Sequence, residues 1–302
     1  MRITFLVITV FFTKLLSAQS NLKSPEEFLG YTLGDRFTAH NRAVDYFTYV
    51  ANQLPNVDLV TYGETYEHRP LVYVVITSPE NFKNLEAIRQ NNLKRAGEVS
   101  GSPSSDKKAI VWMSYNVHGN EASGMEAALQ TLYELANPMN SKTQTWLKNT
   151  VVILDPCINP DGRDRYANFY RQYGNMIPNA SEDAFEQNEV WPGGRPNHYL
   201  FDLNRDWAWA TQAETQQRLQ VYNQWYPHVH VDFHEQGHNN PYYFAPAAEP
   251  FHEVITPWQR EFQTLIGKNH TRYFDEHGWL YFTREVFDLY YPSYGDTYPT
   301  YS

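Results

Sequence analysis

Residues 109–121 have the sequence Ala-Ile-Val-Trp-Met-Ser-Tyr-Asn-Val-His-Gly-Asn-Glu, in which an apolar run passes directly into a short polar motif. The run Ala109–Tyr115 has the length and composition of a strand that is buried on both faces. His118 and Glu121 follow it at positions i and i+3, and both can face one metal ion if the backbone turns between them. Imidazole and carboxylate suit Zn²⁺. Because a lone His-x-x-Glu pair is common by chance, a metal site needs a further ligand from elsewhere in the chain.

A second predicted strand, Val229–Phe233, also leads directly into a histidine, His234. His230 and His234 share a face of this strand but lie about 13 Å apart along it, so only one of them can easily join His118 and Glu121. His234 is the better candidate because it stands at the end of the strand. His230 is interpreted as a histidine of the core or of the sheet face.

Predicted strands and helices alternate along the chain, which indicates an α/β sandwich with a mixed, partly parallel twisted sheet flanked by helices. In such folds the functional site forms at the carboxyl ends of the strands. Turns are predicted over Asp155–Arg165, and an irregular stretch over Asn168–Tyr199. The predicted strands are Val57–Tyr62, Leu71–Ile76, Ala109–Tyr115, Val151–Leu154 and Val229–Phe233. The predicted helices are Asn41–Leu54, Pro79–Ala96, Gly124–Ala136, Gln212–Trp225 and Thr256–His277.

A third polar motif, Asp202-Leu203-Asn204-Arg205, lies between the two histidine segments. An Asn-Arg pair beside a metal can hold a carboxylate, because the guanidinium fork matches carboxylate geometry and the amide adds a donor. Taken alone, this motif is better explained by a solvated arginine on a loop.

The motifs occur in the order His-x-x-Glu, Asn-Pro-Asp-Gly (159–162), Asp-Leu-Asn-Arg (202–205), and a strand that ends in His234. This order resembles the M14 zinc metallocarboxypeptidases, over about residues 40–302. The resemblance implies the αβα sandwich of that family, one Zn²⁺ per chain, and a peptide substrate with a free C-terminal carboxylate. Its Asn-Pro-Asp-Gly turn is interpreted as structural.

The resemblance also assigns roles to individual residues. His118, Glu121 and His234 match the zinc ligands, a set of two histidines and one glutamate for which carboxypeptidase A is a standard example. Asp202 matches the carboxylate that orients the first zinc histidine.

The residues that would meet the substrate are assigned in the same way. Asn204 and Arg205 match the pair that binds the C-terminal carboxylate. Arg195, in a Gly-Arg segment like that of the carboxypeptidase N/E-like branch, would polarise the scissile carbonyl. Three other arginines remain alternatives for this last role: Arg163, Arg165 and Arg171.

Two further residues of the family belong near the C-terminus of this chain. Tyr298 and Tyr301 are both candidates for the tyrosine that covers the bound substrate. The family also uses a glutamate as general base and acid, on a strand beyond that tyrosine, and the chain stops at Ser302 before such a strand. Glu235 and Glu285 are alternatives for this role. We therefore expect a domain that is incomplete at its C-terminus.

The N-terminus and the composition indicate an exported protein. Residues 1–18 combine a basic start, a short apolar run and a small-residue end, which are typical of a secretory signal peptide. Residues 19–302 would then form the zinc carboxypeptidase domain of a bacterial protein that is periplasmic, outer-membrane-associated or secreted, with no transmembrane segment after cleavage. The single cysteine, Cys157, lies in an apolar run and is predicted to be a buried structural thiol.

The charge and the motifs limit the partners. The net charge is -10 without any cluster of Lys and Arg, which argues against nucleic acid as a partner. The resemblance favours peptides with a free C-terminus as substrates. Alternatives are a zinc amidase or peptidase that acts on cell-wall peptides, and a catalytically deficient fragment that binds peptides.

Overall fold

The computed structural model describes residues 22–284 except 250, 252 and 254. The strands are β1 (Val57–Glu64), β2 (Pro70–Ile76), β3 (Ala109–Tyr115), β4 (Thr150–Asp155), β5 (Val229–Phe233), β6 (Tyr242–Tyr243) and β7 (Tyr281–Phe282). The helices are α1 (Pro25–Leu29), α2 (His40–Gln53), α3 (Pro79–Lys83), α4 (Leu85–Ala96), α5 (Ser123–Ala136), α6 (Ser141–Leu147), α7 (Pro160–Tyr173), α8 (Ala213–Trp225) and α9 (Pro257–His277). All five predicted strands are present in this part of the chain.

The main sheet has the strand order β1-β2-β4-β3-β5. β1 and β2 are antiparallel, as are β2 and β4. β3 runs parallel to both β4 and β5, so these three strands end at one edge of the sheet. The predicted mixed, partly parallel α/β architecture is confirmed. β6 and β7 form a separate two-stranded parallel sheet.

Both faces of the main sheet are covered by helices. On β4, Val152 and Leu154 belong to the core under α2 and α5, while Val151 and Ile153 belong to the core under α4 and α8. Side chains alternate between faces along a strand, so a strand buried on both sides must be apolar at every position. This explains the continuous apolar runs of β2, β3 and β4.

The prediction of turns over Asp155–Arg165, followed by an irregular stretch from Asn168, was wrong, because α7 occupies Pro160–Tyr173. The side chain of Asn159 caps this helix by accepting a hydrogen bond from the amide of Gly162 at 2.9 Å. Pro160 fits the first turn of a helix, because an N–H at that position would have no hydrogen-bond partner within the helix. A motif composed of turn-forming residues therefore begins a helix.

Two smaller differences also have local causes. The predicted helix Pro79–Ala96 is divided at Asn84, which adopts a non-helical conformation between α3 and α4. Helix α6 was not predicted, and it is a short helix capped by the side chain of Asn140. Cys157 is buried, as predicted, and burial raises the pKa of its thiol.

The proposed signal peptide, residues 1–18, lies outside the described residues, as do Glu285, Tyr298 and Tyr301. Within the described part of the chain, no helix combines the length and the apolar character needed to cross a membrane.

Candidate metal centre

The loop after β3 turns sharply and brings His118 and Glu121 to the same point. Asn116 begins this turn in the left-handed region, with φ of 51°, a conformation that asparagine tolerates better than most residues. Its side-chain amide donates to the carbonyl of Glu121 at 2.7 Å and so closes the loop. As a result, Nδ1 of His118 lies 2.6 Å from Oε1 of Glu121.

The neighbouring strand β5 places His234 against the same carboxylate. In the parallel β3–β5 register, Tyr115 pairs with Phe233, and their rings stack at a centroid distance of 4.2 Å. The residue after Phe233 is His234, whose Nδ1 lies 3.1 Å from Oε2 of Glu121. One ligand atom from each of His118, Glu121 and His234 lies within 4.8 Å of the others. Two imidazole nitrogens and one carboxylate oxygen, converging in this way, fit a zinc ion.

A carboxylate stands behind each histidine ring. Nε2 of His118 lies 3.1 Å from Oδ1 of Asp202, and Nε2 of His234 lies 3.1 Å from Oδ2 of Asp232. Each ring is thus held at Nε2 and presents Nδ1 to the cluster. Asp202 therefore contacts the histidine that the resemblance predicts it to orient. Asp232 was missed, although its position two residues before His234, on the same face of the strand, could have indicated it.

Each charged group in the cluster shifts the pKa of its neighbours toward the charged form. Burial alone would raise the pKa of Glu121, but hydrogen bonds from His118 and His234 lower it to about 2. Burial alone would lower the pKa of His234, but Asp232 and Glu121 raise it to about 10. The pKa of His118 is raised in the same way, since Asp202 and Glu121 outweigh its burial. A divalent cation would take the place of protons between these atoms.

Among the four candidate arginines, Arg195 lies beside the cluster. Its guanidinium contacts Oδ2 of Asp202 at 2.8 and 3.1 Å, and its side chain is 46% exposed. Arg163 is buried and pairs with Glu126. Arg165 donates to backbone carbonyls of residues 193–197. The fourth, Arg171, is exposed and contacts Phe37 and Asn168.

Asn204 and Arg205 lie in a 3₁₀ turn, Leu203–Arg205, directly after Asp202. The amide of Asn204 donates to Oδ1 of Asp202 at 2.9 Å, which connects this turn to the carboxylate behind His118. The side-chain oxygen of Asn204 is buried and has no hydrogen-bond partner among the described residues. Arg205 donates to the carbonyl of Asn204 at 3.0 Å.

The side chains of the alternatives His230 and Glu235 bind groups outside the ligand cluster, although the backbone amide of Glu235 donates to Oε2 of Glu121 at 3.0 Å. Nε2 of His230 lies 2.7 Å from Oγ of Ser114, and burial lowers the pKa of His230 to about 4. The carboxylate of Glu235 accepts hydrogen bonds from the amide and hydroxyl of Ser123, at 2.8 and 2.5 Å, at the beginning of α5. Glu235 therefore caps a helix in this structure.

A second group of possible ligands, Glu67, Asp161 and His198, also lies within 4.8 Å. Here the guanidinium of Arg69 contacts Glu67 at 2.6 Å and Asp161 at 2.7 Å. Because this arginine already supplies a positive charge between the carboxylates, we interpret the group as an ion-pair network.

Comparison with known proteins supports the resemblance noted in the sequence. A family model described as zinc carboxypeptidase matches residues 43–275. A metallo-carboxypeptidase from Burkholderia cenocepacia aligns with a TM-score of 0.58 and 16% identity, over 88% of this chain and 58% of that chain. Carboxypeptidase A from Helicoverpa armigera aligns with a TM-score of 0.54 and 17% identity, over 90% of this chain and 62% of that chain. A comparison with curated protein sequences gave no match.

These identities are low, so the two structures demonstrate a shared fold only. The chain spans less than two thirds of the length of either structure.

Proposed function

This chain belongs to the zinc carboxypeptidase family, and from that premise we propose that it binds one Zn²⁺ and removes C-terminal residues from peptides. The observation that carries the proposal is the convergence of His118, Glu121 and His234 within 4.8 Å. They meet at the carboxyl ends of parallel strands, where α/β folds place their sites.

The residues around the cluster have distinct tasks in this proposal. When bound, zinc supplies Lewis-acid chemistry, since it polarises a carbonyl and lowers the pKa of a water molecule. Asp202 holds the ring of His118 in place. The guanidinium of Arg195, half-exposed beside Asp202, would donate hydrogen bonds to the oxygen on which negative charge develops. Tyr298 and Tyr301 remain our candidates for the tyrosine over the substrate.

Recognition of the substrate carboxylate is assigned to Asn204 and Arg205. A guanidinium binds a carboxylate through two parallel charge-assisted hydrogen bonds. Their turn is connected to Asp202, so a carboxylate bound there would lie on the His118 side of the cluster. An enzyme that anchors the terminal carboxylate removes residues from the end of a chain.

The proposal is tested by the variant Arg205→Ala, assayed on peptides with a free C-terminus and on the same peptides as C-terminal amides. We expect kcat/KM for the free acids to fall by about 30-fold or more, because losing one partner of a charged contact costs about 2 kcal/mol or more. The amides should change little, since they offer no carboxylate. The matched control is Arg171→Ala, which removes an exposed arginine away from the cluster. An equal loss on acids and amides would exclude this role for Arg205.

A further inference from the structure

Asp232 is placed to fix the orientation of His234. The two residues stand at i and i+2 of an extended segment, so their side chains point to the same side. Oδ2 of Asp232 lies 3.1 Å from Nε2 of His234, while Nδ1 of that ring lies 3.1 Å from Oε2 of Glu121. The ring is held at one nitrogen and presents the other to the metal cluster.

Asp232 is itself held by the neighbouring strand. The hydroxyl of Ser114, a fully buried residue of β3, donates to Oδ1 of Asp232 at 3.3 Å. Ser114 and Asp232 are direct partners in the β3–β5 register. The same hydroxyl lies 2.7 Å from Nε2 of His230, which fixes it from the other side. The carboxylate behind His234 is therefore anchored to the sheet.

The other carboxylate is held differently. Asp202 lies on a loop, and its partner Arg195 has a side chain that is 46% exposed. The side chain of Asp232, in contrast, is 13% exposed and lies on a strand. His234 is the ligand that needs such support, because it follows the last residue of β5 and its own side chain is 27% exposed. A ring at that position can turn away from the cluster unless its second nitrogen is bound.

We propose that Asp232 is a positioning residue that holds the His234 ring with Nδ1 directed at the metal, a role that rests on the proposed zinc site. Hydrogen bonds from such carboxylates to metal-binding histidines fix the ring orientation and increase ligand basicity. Ser114 supports Asp232 in this role. The zinc affinity of the chain then depends on a residue that does not touch the metal.

The test measures zinc affinity by competition with a chromogenic chelator for the full chain and its variants. We expect Asp232→Ala to weaken zinc binding by about 10- to 100-fold. Asp232→Asn should lose less zinc affinity, because the side-chain amide oxygen can still accept a hydrogen bond from Nε2–H of His234. Ser114→Ala should also weaken zinc binding, but by less than Asp232→Ala. The matched control is Asp35→Ala in an exposed turn, which should bind zinc like the unchanged protein.

A second measurement separates positioning from folding. The visible spectrum of the Co²⁺-substituted protein reports ligand geometry, and we expect its bands to shift and weaken in Asp232→Ala but not in Asp35→Ala. Thermal unfolding in excess chelator shows whether each variant folds without metal. If Asp232→Ala does not fold, the zinc affinities and Co²⁺ spectra of Ser114→Ala and Asp232→Asn, compared with those of the unchanged protein, decide whether Asp232 positions His234.

Two failures are distinguishable. If Glu121→Gln binds zinc as tightly as the unchanged protein, the proposed zinc site is wrong. If Glu121→Gln loses zinc while the folded Asp232 and Ser114 variants keep both the affinity and the Co²⁺ spectrum, the zinc site stands and the role of Asp232 is overturned.

Discussion

Three glycines, Gly119, Gly162 and Gly194, meet where the loop of His118 and Glu121, the beginning of α7 and the loop before Asp202 touch. A Cβ added to Gly119 would lie 2.2 Å from the backbone of Gly162 and Arg163, and 2.6 Å from the carbonyl of Gly194. A Cβ on Gly162 would lie 2.3 Å from that same carbonyl. Only glycine allows backbones to approach this closely. Because these residues have no side chain, the backbone just before Arg195 packs closely against the loop of His118 and Glu121.

We expect Gly119→Ala to destabilise the protein by about 1–3 kcal/mol, because the new methyl group meets backbone atoms that cannot rotate away. It should also weaken zinc binding, since His118 and Glu121 flank the displaced residue. The control Gly124→Ala places its methyl group 3.5 Å from the Asn116 side chain, an ordinary contact in the first turn of α5. Urea unfolding and zinc titration of both variants check this. Equal stability of the two would show that the close approach is not needed.

At this scale the sequence indicated the three candidate ligands and one supporting carboxylate, Asp202, but not the other supporting contacts. His118, Glu121 and His234 could be chosen because they follow predicted strands and match an ordered family motif. Asp232 and the close contacts of Gly119 and Gly162 depend on which segments become neighbours in space. A residue that acts through such neighbours leaves only a weak local pattern.

At the scale of elements, helices α5 and α7 are joined by a buried ion pair. Arg163, which is fully buried, pairs with Glu126 at 2.8 Å and donates to the carbonyls of Ala122 and Thr38. Glu126 also accepts from the amide and hydroxyl of Thr38, at 2.8 and 2.6 Å. These contacts explain why residues 160–173 form a helix although their first residues favour turns. Such long-range contacts outweigh local propensity, and a local pattern cannot show them.

Removing one partner should be far more harmful than removing both. We expect Glu126→Ala to lower the free energy of unfolding by about 3–5 kcal/mol, because it leaves the Arg163 charge buried and unpaired. The double variant Glu126→Leu/Arg163→Met should recover part of this loss, since no buried charge remains. The control Glu98→Ala removes an exposed carboxylate and should change stability by less than about 0.5 kcal/mol. Urea unfolding measures all three, and a double variant less stable than Glu126→Ala would refute the explanation.

At the scale of the whole molecule, the sheet was the most predictable part. Continuous apolar runs predicted β2, β3 and β4, because strands covered on both faces must be apolar throughout. The edge strands β1 and β5 carry polar residues between apolar ones. The strand order could not be predicted from local patterns, since it depends on pairings between segments far apart in sequence. The position of the site followed from topology: β3 and β5 are parallel neighbours, so the residues that follow them meet at one edge.

This topology predicts that zinc stabilises the whole fold, because its ligands come from segments more than one hundred residues apart. A ligand at a concentration 100-fold above its dissociation constant stabilises the native state by about 2.7 kcal/mol. For a domain of this size that corresponds to a rise in the unfolding midpoint of very roughly 5–10 °C. We expect chelator to abolish the rise, and Glu121→Gln to lack it.

The matched control for this experiment is His198→Gln, which removes a possible ligand from the group around Arg69. It should keep the full zinc-dependent rise, because the Arg69 guanidinium already occupies the space between Glu67 and Asp161. Scanning calorimetry with and without zinc measures the midpoints of the unchanged protein and both variants. If His198→Gln lost the rise while Glu121→Gln kept it, zinc would bind at the Arg69 network, and the ligand set at the ends of β3 and β5 would be wrong.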